Sequence, residues 1–188
     1  RLVGSKTRNG AKMTDAATTS TNQPTTKYRK DYQPPTHLVE TLDLEFNLAE
    51  EHTRVCSRMT LKENPLRTDT SGELVFDGEG LELVKVVVDG TELSADHYEV
   101  GPETLKVSGL PVECVLEIEV IIEPQENTCF EGLYRSGPMF LTQCEAEGFR
   151  RITYFFDRPD VMARYTTTVR AEKERYPRLL SNGNLLES

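Results

Sequence analysis

The strongest constraint on the fold is an alternation of apolar and polar side chains with a period of two residues. Every second position of the segment 113–122 carries an apolar side chain, and three of the positions between them carry glutamate. The segment 41–48 alternates in the same way, with Leu, Leu, Phe and Leu separated by polar residues. Successive side chains of a β-strand point to opposite faces, so this period predicts strands that bury one face and expose the other.

Shorter runs of the same kind, and the turns between them, extend this prediction along the chain. Alternating or β-branched runs lie at positions 55–61, 74–76, 81–88, 98–107 and 166–171. Asp89-Gly90 predicts a tight hairpin, because the centre of such a turn needs positive φ, and Asn182-Gly183 carries the same signal. The segment 140–145 is predicted to be a returning strand.

These patterns predict an all-β fold, an antiparallel β-sandwich or saddle of about nine to twelve strands. At most one short helix is expected. It would run from Pro159 to Tyr165, since proline is well tolerated at the first position of a helix and Asp160 suits the positive first turn.

The chain divides by composition at about residue 26. Residues 1–26 are rich in Ser, Thr, Asn, Gln and Gly, and such a segment cannot bury enough apolar surface to offset its ordering entropy. They are expected to be a disordered basic tail, or a remnant of processing or of expression. Residues 27–188 are expected to form one β-sandwich domain.

Charge and hydropathy exclude two classes of partner. The net charge is −9, and all but one of the 31 acidic residues follow position 30, so the folded part is a poor match for the phosphates of a nucleic acid. No apolar run is longer than three residues, so no membrane span is expected. Without a secretory signal, a cytoplasmic location is expected; the acidic-poor N-terminus leaves an organellar location after transit-peptide removal as the alternative.

The residues that usually bind metals are too scattered to form a site in this chain. The four cysteines show no C-x-x-C spacing, and without a secretory signal they are expected to be reduced. The three histidines form no H-E-x-x-H motif. No metal ligand is therefore predicted here.

The candidate binding residues are Gln143 and Glu145. On an extended strand their side chains would project from one face and Cys144 from the other. An amide carbonyl and a carboxylate side by side are acceptors for a primary ammonium group, such as a peptide's free N-terminus. From spacing alone, a solvated surface strand is the favoured explanation of the pattern, and nothing sets the separation that an acid–base pair of Glu145 and Glu147 would need. The charged residues after this strand are expected to form an ion-pair network; they are Arg150, Arg151, Asp157, Arg158 and Asp160.

The segment 141–165, LTQCEAEGFRRITYFFDRPDVMARY, resembles the N-terminal domain of the bacterial and apicomplexan type of aminopeptidase N, a family of zinc aminopeptidases of the gluzincin class. Supporting similarities occur at positions 27–32, 74–78, 131–134, 176–177 and 179–184. The resemblance extends over about residues 27–184.

The resemblance implies a β-sandwich saddle packed against a thermolysin-like catalytic domain. It implies that Gln143 and Glu145 bind the free α-amino group of a peptide substrate and line the pocket for its first side chain. The zinc, the general base and the other catalytic residues would lie beyond Ser188. The chain alone is therefore expected to contain no catalytic residue, to bind no metal and to be inactive.

The expected function is that of the N-terminal domain of a zinc metallo-aminopeptidase, which removes N-terminal amino acids from peptides. Its expected partners are the N-terminus of the peptide and the enzyme's own catalytic domain. The alternative is a stand-alone, non-catalytic β-sandwich that serves as a binding or scaffold module. Zinc content and peptidase activity distinguish the two.

Overall fold

The computed structural model describes residues 26, 28–68 and 71–187. Apart from Thr26, the segment expected to be a disordered tail lies outside the described residues. The chain divides into two units, Arg1–Tyr32 and Gln33–Ser188. The described part of the first unit contains a 3₁₀ turn, Arg29–Asp31. The second unit contains the strands.

Strands dominate the second unit, as the alternating pattern predicts. Eleven occur in the described residues: β1 (His37–Asn47), β2 (Thr53–Glu63), β3 (Glu73–Asp77), β4 (Glu82–Val88), β5 (Thr91–Glu92), β6 (Tyr98–Val100), β7 (Thr104–Ser108), β8 (Glu113–Ile122), β9 (Gly132–Ser136), β10 (Met139–Gln143) and β11 (Arg164–Arg170). A second 3₁₀ turn, Phe149–Arg151, follows β10. The all-β prediction is confirmed.

The strands form three sheets. The six-stranded sheet has the order β11-β1-β2-β8-β4-β5, the three-stranded sheet has the order β3-β7-β6, and β9 and β10 form a two-stranded sheet. All pairings between named strands are antiparallel except that of β1 with β11, which is parallel. The six-stranded and three-stranded sheets contribute side chains to a single core, as in a β-sandwich.

Strand β8 illustrates how the alternation becomes burial. Its five even-numbered residues, from Cys114 to Ile122, are at most 6% exposed and belong to the core. On the opposite face, Glu117 pairs with Arg58 of β2 at 3.3 Å. An exposed pair of this kind contributes about 0–1 kcal/mol, whereas burying a large aliphatic side chain contributes about 1.5–3 kcal/mol. Burial of the apolar face therefore contributes more than this ion pair to fixing the pairing register of β8.

The turns test the local predictions. Asp89 and Gly90 have φ values of 49° and 80° and connect β4 to β5, so the hairpin predicted there is confirmed. Gly183 also has positive φ, 88°, but in the described residues no strand flanks it. The helix expected from Pro159 is wrong, because residues 159–163 form a turn and irregular chain, and Arg164 already begins β11.

A buried segment after the second 3₁₀ turn anchors the region around the candidate site. Residues 152–156 are all buried. Phe156 stacks on Phe76 of β3, with ring centroids 4.6 Å apart. The Thr153 hydroxyl lies 2.9 Å from that of Ser57 in β2, which links the segment to the six-stranded sheet through a buried hydrogen bond. Contacts with both sheets therefore hold this segment in place, and with it the residues that flank it.

His37, at the start of β1, is a buried titratable group outside the candidate site. It is 5% exposed and lies opposite Glu63 of β2. Its Nδ1 atom has no hydrogen-bond partner among the described residues. Burial lowers the pKa of His37; the Arg67 guanidinium lowers it further, and Glu63 opposes the shift.

We expect His37 to make the stability of this chain depend on pH. In the unfolded chain the ring titrates at about pH 6.5, so the unfolded state takes up its proton first as the pH falls. The contribution is therefore fully present above about pH 6.5 and is lost as the pH falls towards the lower pKa of the folded state. Urea unfolding of the wild type and of His37→Gln should show a smaller loss of unfolding free energy in the variant between about pH 7.5 and about pH 5.5. The exposed His52, changed to Gln, is the control; equal pH dependence in His37→Gln and the wild type would contradict the assignment.

Candidate functional site

The candidate residues lie at the end of the β9–β10 hairpin. The two strands are joined at Gly137, which has φ of 57°, and Gln143 of β10 lies opposite Gly132 of β9. Alternate side chains of a β-strand lie on one face, so Gln143 shares its face with Leu141 and Met139. All three are exposed.

The strand predicted over residues 140–145 is shorter in the structure. It ends at Gln143, and residues 145–148 form a turn closed by the Gly148 N–H, which donates to the Cys144 carbonyl at 2.9 Å. The peptide bond between Glu145 and Ala146 is cis. Glu145 therefore lies on a turn, and not on a continuous strand with Gln143.

The two candidate residues are nevertheless held together. Gln143 Nε2 donates to the backbone carbonyl of Glu145 at 3.0 Å. With this amide nitrogen engaged, the carbonyl oxygen of the Gln143 side chain remains an acceptor. Both residues are exposed, and among the described residues the Glu145 carboxylate makes no hydrogen bond or ion pair. The arrangement offers two oxygen acceptors near the end of one strand.

Two glycines allow the turn to pack tightly against the hairpin. A Cβ atom on Gly148 would lie 2.5 Å from the backbone oxygen of Gln143 and 2.9 Å from the Cα atom of Cys144. A Cβ atom on Gly132 would lie 2.7 Å from the Cβ atom of Arg151, and φ at this glycine is 73°. Both contacts are closer than any side chain tolerates, so the turn requires glycine at these positions.

Arg150 connects the turn to a half-buried carboxylate. The Asp157 Oδ2 atom accepts hydrogen bonds from the backbone N–H of Arg150 at 3.1 Å and from its Nε at 3.0 Å. The Asp157 backbone carbonyl accepts a third, from Arg150 Nη2 at 3.2 Å. The side chains of Arg150 and Asp157 are 17% and 11% exposed, so this pair is better shielded from water than an ordinary surface pair.

Ion pairs occur at all five residues of the network predicted after the strand, and Arg150 pairs with Asp157 as described above. Arg158 pairs with Asp160 at 2.6 Å. Arg151 pairs with Glu79 at 2.5 Å and with Glu131 at 3.4 Å. The sequence prediction missed both of these glutamates because they lie in earlier loops, outside the segment that carries the charged residues.

An aromatic cluster lies beside the turn. The ring of Phe149 makes edge-to-face contacts with Phe155 at 5.1 Å and with Tyr165 at 6.0 Å between centroids. Cys144 is half-buried and packs against the core, and burial, together with the nearby Asp157, raises the pKa of its thiol. A thiol with a raised pKa is a poor nucleophile, so Cys144 has a packing role here.

A protein zinc centre needs several His, Cys, Asp or Glu ligands in one place. Residues 28–68 and 71–187 contain no group of three or more such side chains that could hold a metal ion. Over the same residues, no helix has the length and apolar character that a membrane crossing requires.

Known proteins match the chain over most of its length. Aminopeptidase N of Caulobacter vibrioides is 45% identical over 159 residues, which are 84% of this chain and 18% of that protein. Aminopeptidase N of Escherichia coli is 44% identical over 169 residues, which are 87% of this chain and 18% of that protein. The chain thus spans about a fifth of the length of these relatives.

Solved structures agree with these matches. The crystal structure of Legionella pneumophila aminopeptidase A in complex with aspartic acid has a TM-score of 0.78 at 35% identity, covering 86% of this chain and 19% of that one. An M1 zinc metallopeptidase from Deinococcus radiodurans has a TM-score of 0.59 at 15% identity, covering 73% of this chain and 33% of that one, and shares the fold. A family model described as the peptidase M1 N-terminal domain matches residues 25–188. The chain therefore belongs to the peptidase M1 N-terminal domain family.

Proposed function

We propose that this chain is the N-terminal domain of a longer zinc-dependent aminopeptidase, which removes amino acids one at a time from the N-terminus of peptides. The proposal is supported by relatives named aminopeptidase N, of which the chain covers 18%. The single structural observation that carries it is the exposed carboxylate of Glu145, which has no hydrogen-bond or ion-pair partner among the residues that the structure describes.

Glu145 and Gln143 bind the α-ammonium group of the substrate. A free peptide N-terminus has a pKa of about 7.7–8.0, so much of it is protonated near neutral pH and carries three N–H donors. The Glu145 carboxylate neutralises the charge, and the Gln143 side-chain carbonyl accepts a further hydrogen bond. Because the ammonium group is then fixed, the first peptide carbonyl of every substrate lies at the same distance from Gln143 and Glu145. A peptide with a blocked N-terminus lacks both the charge and the donors, and is rejected.

The metal and the chemical step belong to the rest of the longer protein. When bound there, zinc would activate the attacking water and polarise the peptide carbonyl. This chain contributes substrate positioning. We further propose that the catalytic domain covers exposed leucines of the C-terminal segment, since Leu180 and Leu186 are 94% and 84% exposed.

The proposed location is cytoplasmic. All four cysteines are free, and free thiols are typical of reducing compartments. An organelle entered after removal of a transit peptide is the alternative.

The experiment that tests the function compares two proteins and two substrates. The longer protein should cleave a peptide with a free N-terminus and should leave its N-acetylated form intact; the 188-residue chain should bind no stoichiometric zinc and cleave neither. Zinc is measured by mass spectrometry, and cleavage by release of the first amino acid. Equal cleavage of the acetylated peptide would contradict the ammonium site. Turnover by the purified 188-residue chain would contradict its role as a non-catalytic domain.

A further inference from the structure

The turn that carries Glu145 depends on its attachments at either end. Its carboxylate has no partner among the described residues, so its position is set by the backbone. On one side, the turn is tied to β10 through Gln143, as described above. On the other side, it continues directly into the 3₁₀ turn Phe149–Arg151, where the Arg151 N–H donates to the carbonyl of Gly148 at 3.1 Å. Whatever fixes that 3₁₀ turn also fixes the Glu145 backbone.

Arg150, at the centre of the 3₁₀ turn, is fixed by both its backbone and its side chain. Its N–H and its Nε atom share one oxygen of Asp157. Its carbonyl accepts the N–H of Glu79 at 3.0 Å. Hydrogen bonds between ionised partners are about twice as strong as neutral ones, and here both partners are largely shielded from water. The backbone of Arg150 therefore has little freedom while Asp157 is present.

Asp157 is itself attached to the three-stranded sheet. Its N–H donates to Asp77 Oδ2 at 3.0 Å. Asp77, the last residue of β3, exchanges two backbone hydrogen bonds with Phe155, at 2.8 Å and 3.1 Å. A continuous set of contacts thus runs from β3, through Asp157 and Arg150, to the turn.

We propose that Asp157, acting through Arg150, is a positioning residue that holds the Glu145 carboxylate where it meets the substrate's ammonium group. This inference rests on the proposed function. Asp157 contacts no part of the ammonium site directly; it determines where the turn lies. Displacing a binding group by about 1 Å can cost about 100-fold in rate, so the loss should be large although the core is intact.

The test is made in the longer enzyme, with a readout that a general loss of structure would not change. The ratio of the competitive inhibition constant of a non-cleavable peptide analogue lacking its α-amino group to that of the same analogue carrying the group measures ammonium recognition alone. Asp157→Ala should lower this ratio by about ten- to 100-fold. Asp157→Asn keeps the shape and one acceptor oxygen, so it should lower the ratio less. This variant is the one measured if Asp157→Ala does not fold. Asp160→Ala, which breaks the neighbouring pair with Arg158, is the matched control and should leave the ratio unchanged.

The double variant Glu145→Ala/Asp157→Ala identifies the route of the effect. If Asp157 acts through Glu145, the double variant should have the same ratio as Glu145→Ala alone. A ratio that stays at the wild-type value in both Asp157 variants, while Glu145→Ala lowers it, would overturn the inference and leave the proposed function standing. If Glu145→Ala itself does not lower the ratio, the ammonium site is wrong and the inference fails with it.

Discussion

In the longer enzyme, Glu145→Ala is expected to lower kcat/KM for peptides with a free N-terminus by about 30- to 1000-fold. When the catalytic domain of the longer enzyme shields the site from water, removing one partner of this charged pair costs about 2–4 kcal/mol, because the ammonium group is then held without its counter-charge. The loss should appear in kcat as well as in KM, since the ammonium contact also fixes the scissile carbonyl. Steady-state kinetics on one peptide series measures both.

Two variants separate charge from shape and from position. Glu145→Gln keeps the shape and an acceptor oxygen, so it should retain more activity than the alanine variant but less than the wild type. Glu147, in the same turn, pairs with Arg150 only at 3.7 Å and is 57% exposed, so Glu147→Ala should change kcat/KM by less than about threefold. Zinc content should remain that of the wild type in all three. Wild-type kcat/KM in Glu145→Ala would refute the assignment.

Gly148→Ala is expected to disturb both the fold near the site and the site itself. The added Cβ atom would lie 2.5 Å from the backbone oxygen of Gln143 and 3.0 Å from the backbone nitrogen of Gly132. Backbone atoms cannot rotate away as a side chain can, so the turn must move relative to the hairpin. Overpacking of this kind costs about 1–3 kcal/mol of stability. Because the moving segment carries Glu145, activity in the longer enzyme should fall together with stability.

The matched control is Gly101→Ala, where the nearest atom to the added Cβ is the Thr104 hydroxyl oxygen, at 2.8 Å, on a side chain that can move. Denaturant unfolding of this chain should show a clearly larger loss for Gly148→Ala than for Gly101→Ala. In the longer enzyme, only the former should reduce discrimination between free and blocked peptides. Equal stability of the two variants would mean that the turn adapts without cost.

Local pattern predicted the strands of this chain well, because a strand that buries one face must alternate its side chains. The segment 113–122 shows why: its even-numbered residues are buried in β8 as predicted. The Asp89-Gly90 hairpin was predictable for a similar reason, since the conformation it needs is a property of those two residues.

The sequence pattern failed where distant contacts override local preference. Pro159 and Asp160 favour the start of a helix, yet Arg164 and Tyr165 pair with Thr41 and Leu42 of β1. This pairing stabilises an extended conformation at Arg164 and Tyr165, which the predicted helix would have approached or included. No local signal indicates that pairing, because its two strands lie near opposite ends of the described chain.

The local geometry around the candidate residues differs from the one that the sequence predicted. Gln143 and Glu145 were chosen for their spacing on a strand and from a resemblance, and their role stays a prediction. The predicted strand was expected to carry both residues. In the structure the strand ends at Gln143, because the chain turns there and packs Gly148 against the strand end. The residues that hold the turn, such as Asp77 at the end of β3 and Glu79 in the loop after it, were not predictable from the motif, since they lie far from it in the sequence.

The parallel pairing of β1 with β11 has a consequence for the order in which this domain is made. Synthesis proceeds from the N-terminus, so β1 leaves the ribosome early, whereas the strand that covers one of its two edges leaves it late. Until then, that edge of β1 presents open backbone donors and acceptors to other nascent chains. The turn that carries Glu145 also precedes β11 in the chain, so it is synthesised before this edge can be closed. Translational pausing within residues 144–163 would thus prolong the period in which the nascent chain is prone to mispairing.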